Sequence, residues 1–146
     1  AGHNRAQIYD PATDSWTLGE NAIPGYMTAS NAAVLGDRIY MYQAWSGAAE
    51  PHLWIYDPAT DTYELGADGP TAGCRTPLVA MGDALYALGG MTNCNAESSV
   101  VYRYDPATDA WQRAGDLVGV RSGHGYGVLR GAVMLVGTHS TEFWRP

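Results

Sequence analysis

A run of six residues, Tyr-Asp-Pro-Ala-Thr-Asp, occurs three times in this chain, at positions 9–14, 56–61 and 104–109. The copies stand 47 and 48 residues apart, and each is followed two residues on by an aromatic: Trp16, Tyr63 and Trp111. A fixed period of that size means one supersecondary unit repeated, each unit burying an apolar face against the next. Any fold for these 146 residues must be built from such units.

The unit reads as strands. Asp-Pro presets φ at a turn, and the Asp side chain holds the backbone ahead of it. Gly36-Asp37, Gly82-Asp83 and Arg130-Gly131 mark tight hairpins. Strands are expected up to Tyr9, through Trp16, and over 29–35, 38–45, 53–56, 76–81, 84–88, 100–104, 124–129 and 133–136. Longer loops are read at 20–25, 46–51 and 91–98, and a tail at 137–146. No 3.6-residue periodicity competes. The expected fold class is all-β, with four short antiparallel strands per repeat, which is one propeller blade.

The pattern resembles the kelch-repeat family. The strand pair ending in Gly89-Gly90, the hexapeptide and the downstream Trp carry the resemblance, which spans essentially the whole chain. Gln43-Ala44 and Gly137-Thr138 depart from the Gly-Gly doublet, and Tyr63 replaces one Trp. The resemblance implies a kelch-type β-propeller whose ligands sit on the loop face around a central channel.

A propeller closes with about 4–8 blades, so three leave open faces and strand edges. The expected division is 1–19 as outer strands of a shared blade, 26–66 and 74–115 as blades, and 121–146 as inner strands of a shared blade. Joining the end of one copy to the start of another separates Tyr104 from Tyr9 by 51 residues, close to the internal period. The expectation is half of a six-bladed ring, closed by a second copy as a homodimer. A piece of a longer chain cut at the same phase gives the same arithmetic.

The net charge is −7 and all eight basic residues are Arg, which argues against nucleic acid as a partner. Six of the ten Asp residues belong to the hexapeptides, so the acidity is turn chemistry. No apolar run approaches the ~20 residues of a membrane helix, and no membrane partner is expected. Cys74 and Cys94 fall in one repeat, and both pairing and two free thiols are open. Nothing in the sequence assigns a compartment or a cofactor.

One end of each unit carries near-identical turns and the other carries varied loops, where a rigid frame can build specificity. The ligand-binding candidates are Arg75, Arg121, His124, Trp45, Asn93, Glu97, His139 and Tyr26. Arg75 and Arg121, 46 residues apart, are read as starting equivalent strands. Two convergent guanidiniums suit a carboxylate or acidic peptide, whereas the ordinary reading has each Arg capping a neighbouring loop. Glu50, Glu97 and Glu142 recur, and are read as solvated loop charges. His3, His52, His124 and His139 lack metal-binding spacing, although His124 and His139 could approach each other; no metal site is expected. No Gly-x-Ser-x-Gly elbow exists, and no catalytic residue is assigned.

The expected function is a non-enzymatic kelch scaffold binding a ligand, peptide or glycan on its loop face. The alternative is an enzyme acting on a sugar or other small molecule, resembling kelch-type sialic acid mutarotases or copper radical oxidases, with Arg75, Arg121, His124 and Glu97 as first candidates. Convergence decides between them: a carboxylate within hydrogen-bond reach of an imidazole in one pocket favours the enzyme.

Overall fold

The computed structural model describes residues 5–23, 31–43, 52–70, 72–92, 94–137 and 140–146, and every regular element among them is a β-strand. A leading hairpin pairs β1 (Arg5–Asp10) with β2 (Ser15–Ala22). The first unit is a four-stranded meander of β3 (Asn31–Leu35), β4 (Arg38–Gln43), β5 (His52–Asp57) and β6 (Thr62–Leu65). Then come β7 (Ala72–Cys74), β8 (Leu78–Met81), β9 (Ala84–Leu88), β10 (Met91–Thr92), β11 (Ala96–Asp105) and β12 (Ala110–Arg121). Of these, β8, β9, β11 and β12 form the second unit, and β7 and β10 extend it beyond β11. The third unit is β13 (Gly125–Leu129), β14 (Ala132–Val136) and β15 (Thr141–Trp144). All pairings are antiparallel.

The turns behave as their chemistry requires. Asp10, Asp57 and Asp105 each accept the backbone N–H two residues ahead, at 2.8, 2.9 and 3.0 Å. The closing Asp of each hexapeptide is left-handed, with φ of 50, 52 and 48° at Asp14, Asp61 and Asp109. At Arg130-Gly131 both central residues have positive φ, matching a two-residue hairpin. Gly90 has φ +88°, and a methyl there would overlap the Thr76 hydroxyl, so the Gly-Gly doublet is dictated by close approach as well as by backbone hand.

The closing Asp also joins one unit to the one before. Asp109 accepts the Tyr104 hydroxyl at 2.6 Å and the Ala67 N–H of the first unit at 2.7 Å, while Trp111 Nε1 donates to the Ala67 carbonyl at 3.1 Å. Asp61 repeats the arrangement with Tyr56 (2.9 Å) and the backbone N–H groups of Glu20 and Asn21 (2.6 and 2.8 Å). Glycine is needed where the carboxylate lands: a Cβ on Gly19 would stand 2.7 Å from the Asp61 carboxylate, and one on Gly66 3.1 Å from the Tyr104 hydroxyl.

Two apolar clusters lie at the junctions. Between the first and second units, Tyr40, Tyr42, Leu53 and Ile55 meet Leu78, Leu85, Ala87 and Tyr104. Between the second and third, Val79, Ala84, Tyr86, Leu88, Val101 and Leu117 meet Val133, Leu135 and Trp144. The contacts repeat in kind: Tyr40 faces Tyr104 at 6.1 Å, and Tyr86 faces Trp144 at 5.1 Å.

Four expectations need correction, the first being the loop read at 20–25, whose first three residues belong to β2. The tail read at 137–146 contains a strand, because Trp144 pairs with Val133 as Tyr104 pairs with Leu85. Glu142-Phe143-Trp144 thus fills a third-strand place without the hexapeptide that signals it. The second unit's outer strands are longer than read: β11 starts at Ala96 and β12 runs on to Arg121, past register shifts that include Gly115 at φ +140°. The loop read at 91–98 contains β10, paired with β7 and stapled by a Cys74–Cys94 disulfide with Cα atoms 5.2 Å apart.

The junction carboxylates set an acid limit. The Tyr104 hydroxyl and Ala67 N–H hold Asp109 below the usual carboxylate range, and Asp61 is lowered chiefly by the Asn21 N–H. A folded-state pKa below the unfolded value gives stability that is complete above the unfolded pKa and lost as pH falls through the folded one. Asp109→Asn is therefore expected to lower the denaturation midpoint at about pH 6 and to reduce its further fall towards about pH 3. Parallel urea curves at both pH values check this.

Candidate functional site

The varied end of the second and third units carries an open cavity of roughly 260 Å³. Its walls are the end of β12 with the turn after it (119–125), the end of β14 with Gly137, Ser140, and Glu97 from β11. The ladder pairing Ser98 with Arg121 puts the start of β11 beside the end of β12. Glycines at 119, 123, 125 and 137 keep the lining thin.

Arg121 is mostly buried. Its guanidinium pairs with Glu142 at 2.9 Å and donates to the Ser140 hydroxyl at 3.0 Å, while its Nε is buried without a partner. Glu142 also accepts the Val118 N–H at 2.7 Å, tying β15 to β12. Glu97 is exposed and accepts the Ser122 hydroxyl at 2.8 Å. His124 is 8% exposed, and neither ring nitrogen has a hydrogen-bond partner. Burial, and then the Arg121 charge, push its pKa below the ordinary histidine value against the opposing pull of Glu142 and Glu97. The imidazole is held neutral.

Comparison with known proteins places this arrangement. A family model described as the kelch motif matches residues 72–117, which cover most of the second unit. Over 112 residues the chain is 30% identical to Kelch-like protein 21 of Homo sapiens. The chain belongs to the kelch-repeat family. The alignment covers 76% of this chain and 18% of that human protein, so the chain spans under a fifth of its kelch relative.

Three of the eight residues chosen from this kelch sequence, Arg121, His124 and Glu97, line the one cavity. Arg75 borders it: its carbonyl accepts the Gly123 N–H at 3.1 Å, and its side chain is exposed without an ion pair among the described residues. Trp45, Asn93, His139 and Tyr26 lie outside the described residues, as do Glu50 and His3. His52 is elsewhere, 3.0 Å from Asp68.

The pairing of Arg75 with Arg121 is corrected. The hairpins align Leu129–Ala132 with Met81–Ala84, which makes Arg75 the counterpart of Gly123, with φ of 54 and 59°. Thr76 is then the counterpart of His124, and both are buried. Arg121 ends β12 instead of starting a strand, and Glu142 already neutralises it. Glu142 is accordingly no solvated loop charge. The chain shows its signal in hindsight: Val118 and Val120 alternate up to Arg121, as a continuing strand requires.

No carboxylate bonds to the His124 imidazole, and no cluster of three or more potential metal ligands exists among the described residues. Both cysteines are spent in the disulfide, which leaves a copper-oxidase-like Cys–Tyr crosslink without a thiol.

The Arg121–Glu142 pair anchors β15, and removing one partner strands a mostly buried charge. Arg121→Met is expected to cost about 3 kcal/mol, and adding Glu142→Gln to recover at least half of it. A double-mutant cycle by urea unfolding measures this; strict additivity would show that the pair does not hold the third unit.

Proposed function

We propose that the chain is part of a non-enzymatic kelch propeller, a scaffold that binds a protein segment or other ligand on the face bearing His124, Arg121, Glu97 and Arg75. The observation that carries the reading is how the cavity's polar groups are engaged. Arg121 is neutralised by Glu142, and among the described residues no carboxylate bonds to His124 to orient or charge it, so those residues assemble no acid–base pair. A fixed rim of such groups recognises; it does not transfer protons. The similarity to Kelch-like protein 21 supports the same class. Peptides selected from a displayed library against the folded chain should lose affinity on Glu97→Ala or Arg75→Ala and return from incubation with unchanged mass and stereochemistry. A converted ligand overturns the non-enzymatic reading.

The open ends support ring closure by another blade, for which we take a second copy as the occupant. Tyr9 and Trp16 meet as tilted rings 5.1 Å apart, as Tyr104 and Trp111 do, yet Trp16 is 66% exposed. On the third unit, Leu129, Val136 and Phe143 are exposed, and Val136 holds the place that Tyr42 and Leu88 fill at the buried junctions. Because β15 occupies the third-strand place, a six-bladed ring with two shared blades requires the second copy's β1 to exchange with it, with β2 then outermost. The division into 1–19, 26–66, 74–115 and 121–146 belongs to this proposal. Light scattering should give twice 15.6 kDa, falling to the monomer mass on Trp16→Ala. A wild-type monomer at every concentration refutes closure by a second copy.

A further inference from the structure

The Cys74–Cys94 disulfide fastens two very short strands beside the cavity. β7 has three residues and β10 two, and they pair only at Met91–Cys74 and Thr92–Ala72, with a register shift between. On its other side β10 meets β11 only at Met91–Glu97 and Thr92–Ala96. Strands of that length do not hold a sheet by themselves. Cys94 stands in the turn from β10 to β11 with φ of 59°, a left-handed conformation that a residue other than glycine keeps where its surroundings impose it. A covalent link spanning 20 positions therefore ties this turn to β7.

Neighbouring contacts limit what the link controls. The Gly90 N–H donates to the Arg121 carbonyl at 2.9 Å and the Ser98 N–H to the Gly90 carbonyl at 2.8 Å, so the sheet is pinned at those residues without it. On the β7 side the Thr76 hydroxyl reaches the Cys74 carbonyl at 3.4 Å, and the Gly123 N–H the Arg75 carbonyl at 3.1 Å, so Arg75 is held as well. Between these pins lies the segment from β10 to Glu97. Its last residue is the carboxylate that lines the cavity and accepts the Ser122 hydroxyl. Both cysteines are half-buried, not sealed in the core. We propose that the disulfide is a redox switch on this face: closed, it sets Glu97 against Ser122 at the cavity, and opened by a dithiol, it frees the turn and Glu97 with it. A thiolate of the reductant attacks one sulfur and its second thiol resolves the mixed disulfide. Two electrons and two protons pass to Cys74 and Cys94, and the reductant leaves as its own disulfide. The consequence for a ligand rests on the binding reading given above.

Residue-resolved hydrogen exchange, with and without dithiothreitol, tests the switch. Reduction should speed exchange at Thr92, Asn95 and Glu97 about tenfold and leave Leu88 and Gly123 as they were. Cys74→Ser combined with Cys94→Ser should reproduce the fast state and remove the response to dithiothreitol. A peptide selected on the oxidised chain should bind about tenfold more weakly on reduction, recover on reoxidation, and in the reduced chain lose nothing further to Glu97→Ala. Exchange at Asn95 and Glu97 that reduction does not move overturns the proposal. So does a Leu88 rate that rises with them, since the link would then hold the whole unit. A full Glu97→Ala loss in the reduced chain overturns it too, because Glu97 would still be in place. If no peptide binds the oxidised chain, the scaffold reading falls, and the exchange rates still decide the switch.

Discussion

The structure depends on one carboxylate used twice. The closing Asp of each hexapeptide accepts its own Tyr hydroxyl, and Asp61 and Asp109 also take backbone N–H groups from the preceding sheet. Glu20 and Asn21 lie at the register shift of β2 and Ala67 just beyond the end of β6, so the bonds satisfy donors that the ladders leave open. A charged acceptor makes each stronger than an amide–carbonyl bond. The positive φ of Asp61 and Asp109 aims the carboxylate, and Gly19 and Gly66 make room for it. The hexapeptide is therefore both a turn and a joint, which is why all six positions recur together.

This double use explains what the sequence reveals. The repeat period, the strand class, the Gly-Asp hairpins and the Asp-Pro turns are all local chemistry, and the structure has them where the residues place them. The joint is not local: Asp109 meets Ala67 across 42 positions, and no pattern within one repeat announces the partner. The same holds for Glu142. As one of three recurring glutamates it looks like a loop charge, and only the pairing of β14 with β15 sets it against β12 and Arg121.

The candidate site was legible in its residue types and its end of the fold, but not in its pairings. Arg75 and Arg121 look equivalent because both follow a small-residue stretch at near-repeat spacing. The hairpin register shows instead that Arg75 matches Gly123. The second and third hexapeptides and their following hairpins are both offset by 48 residues, which carries Arg75 to Gly123, so the 46-residue spacing of the two arginines is itself out of phase with the repeat.

The cavity lies where the repeating joint is replaced. At the junction of the first and second units, Asp109 reaches back to a backbone amide, and the contact is structural on both sides. At the next junction that task falls to Glu142, which bonds the Val118 N–H and in doing so needs Arg121 to balance its burial. The chain after β12 bends through Gly123 as it bends through Arg75 one unit earlier, and His124 is buried beside it in the place that Thr76 fills. A threonine there satisfies itself locally, since its hydroxyl reaches the Cys74 carbonyl. An imidazole is too large and too polar for the same solution. The chemical distinctiveness of this face thus goes with a change in how two sheets are fastened, from the hexapeptide Asp to the Arg121–Glu142 pair.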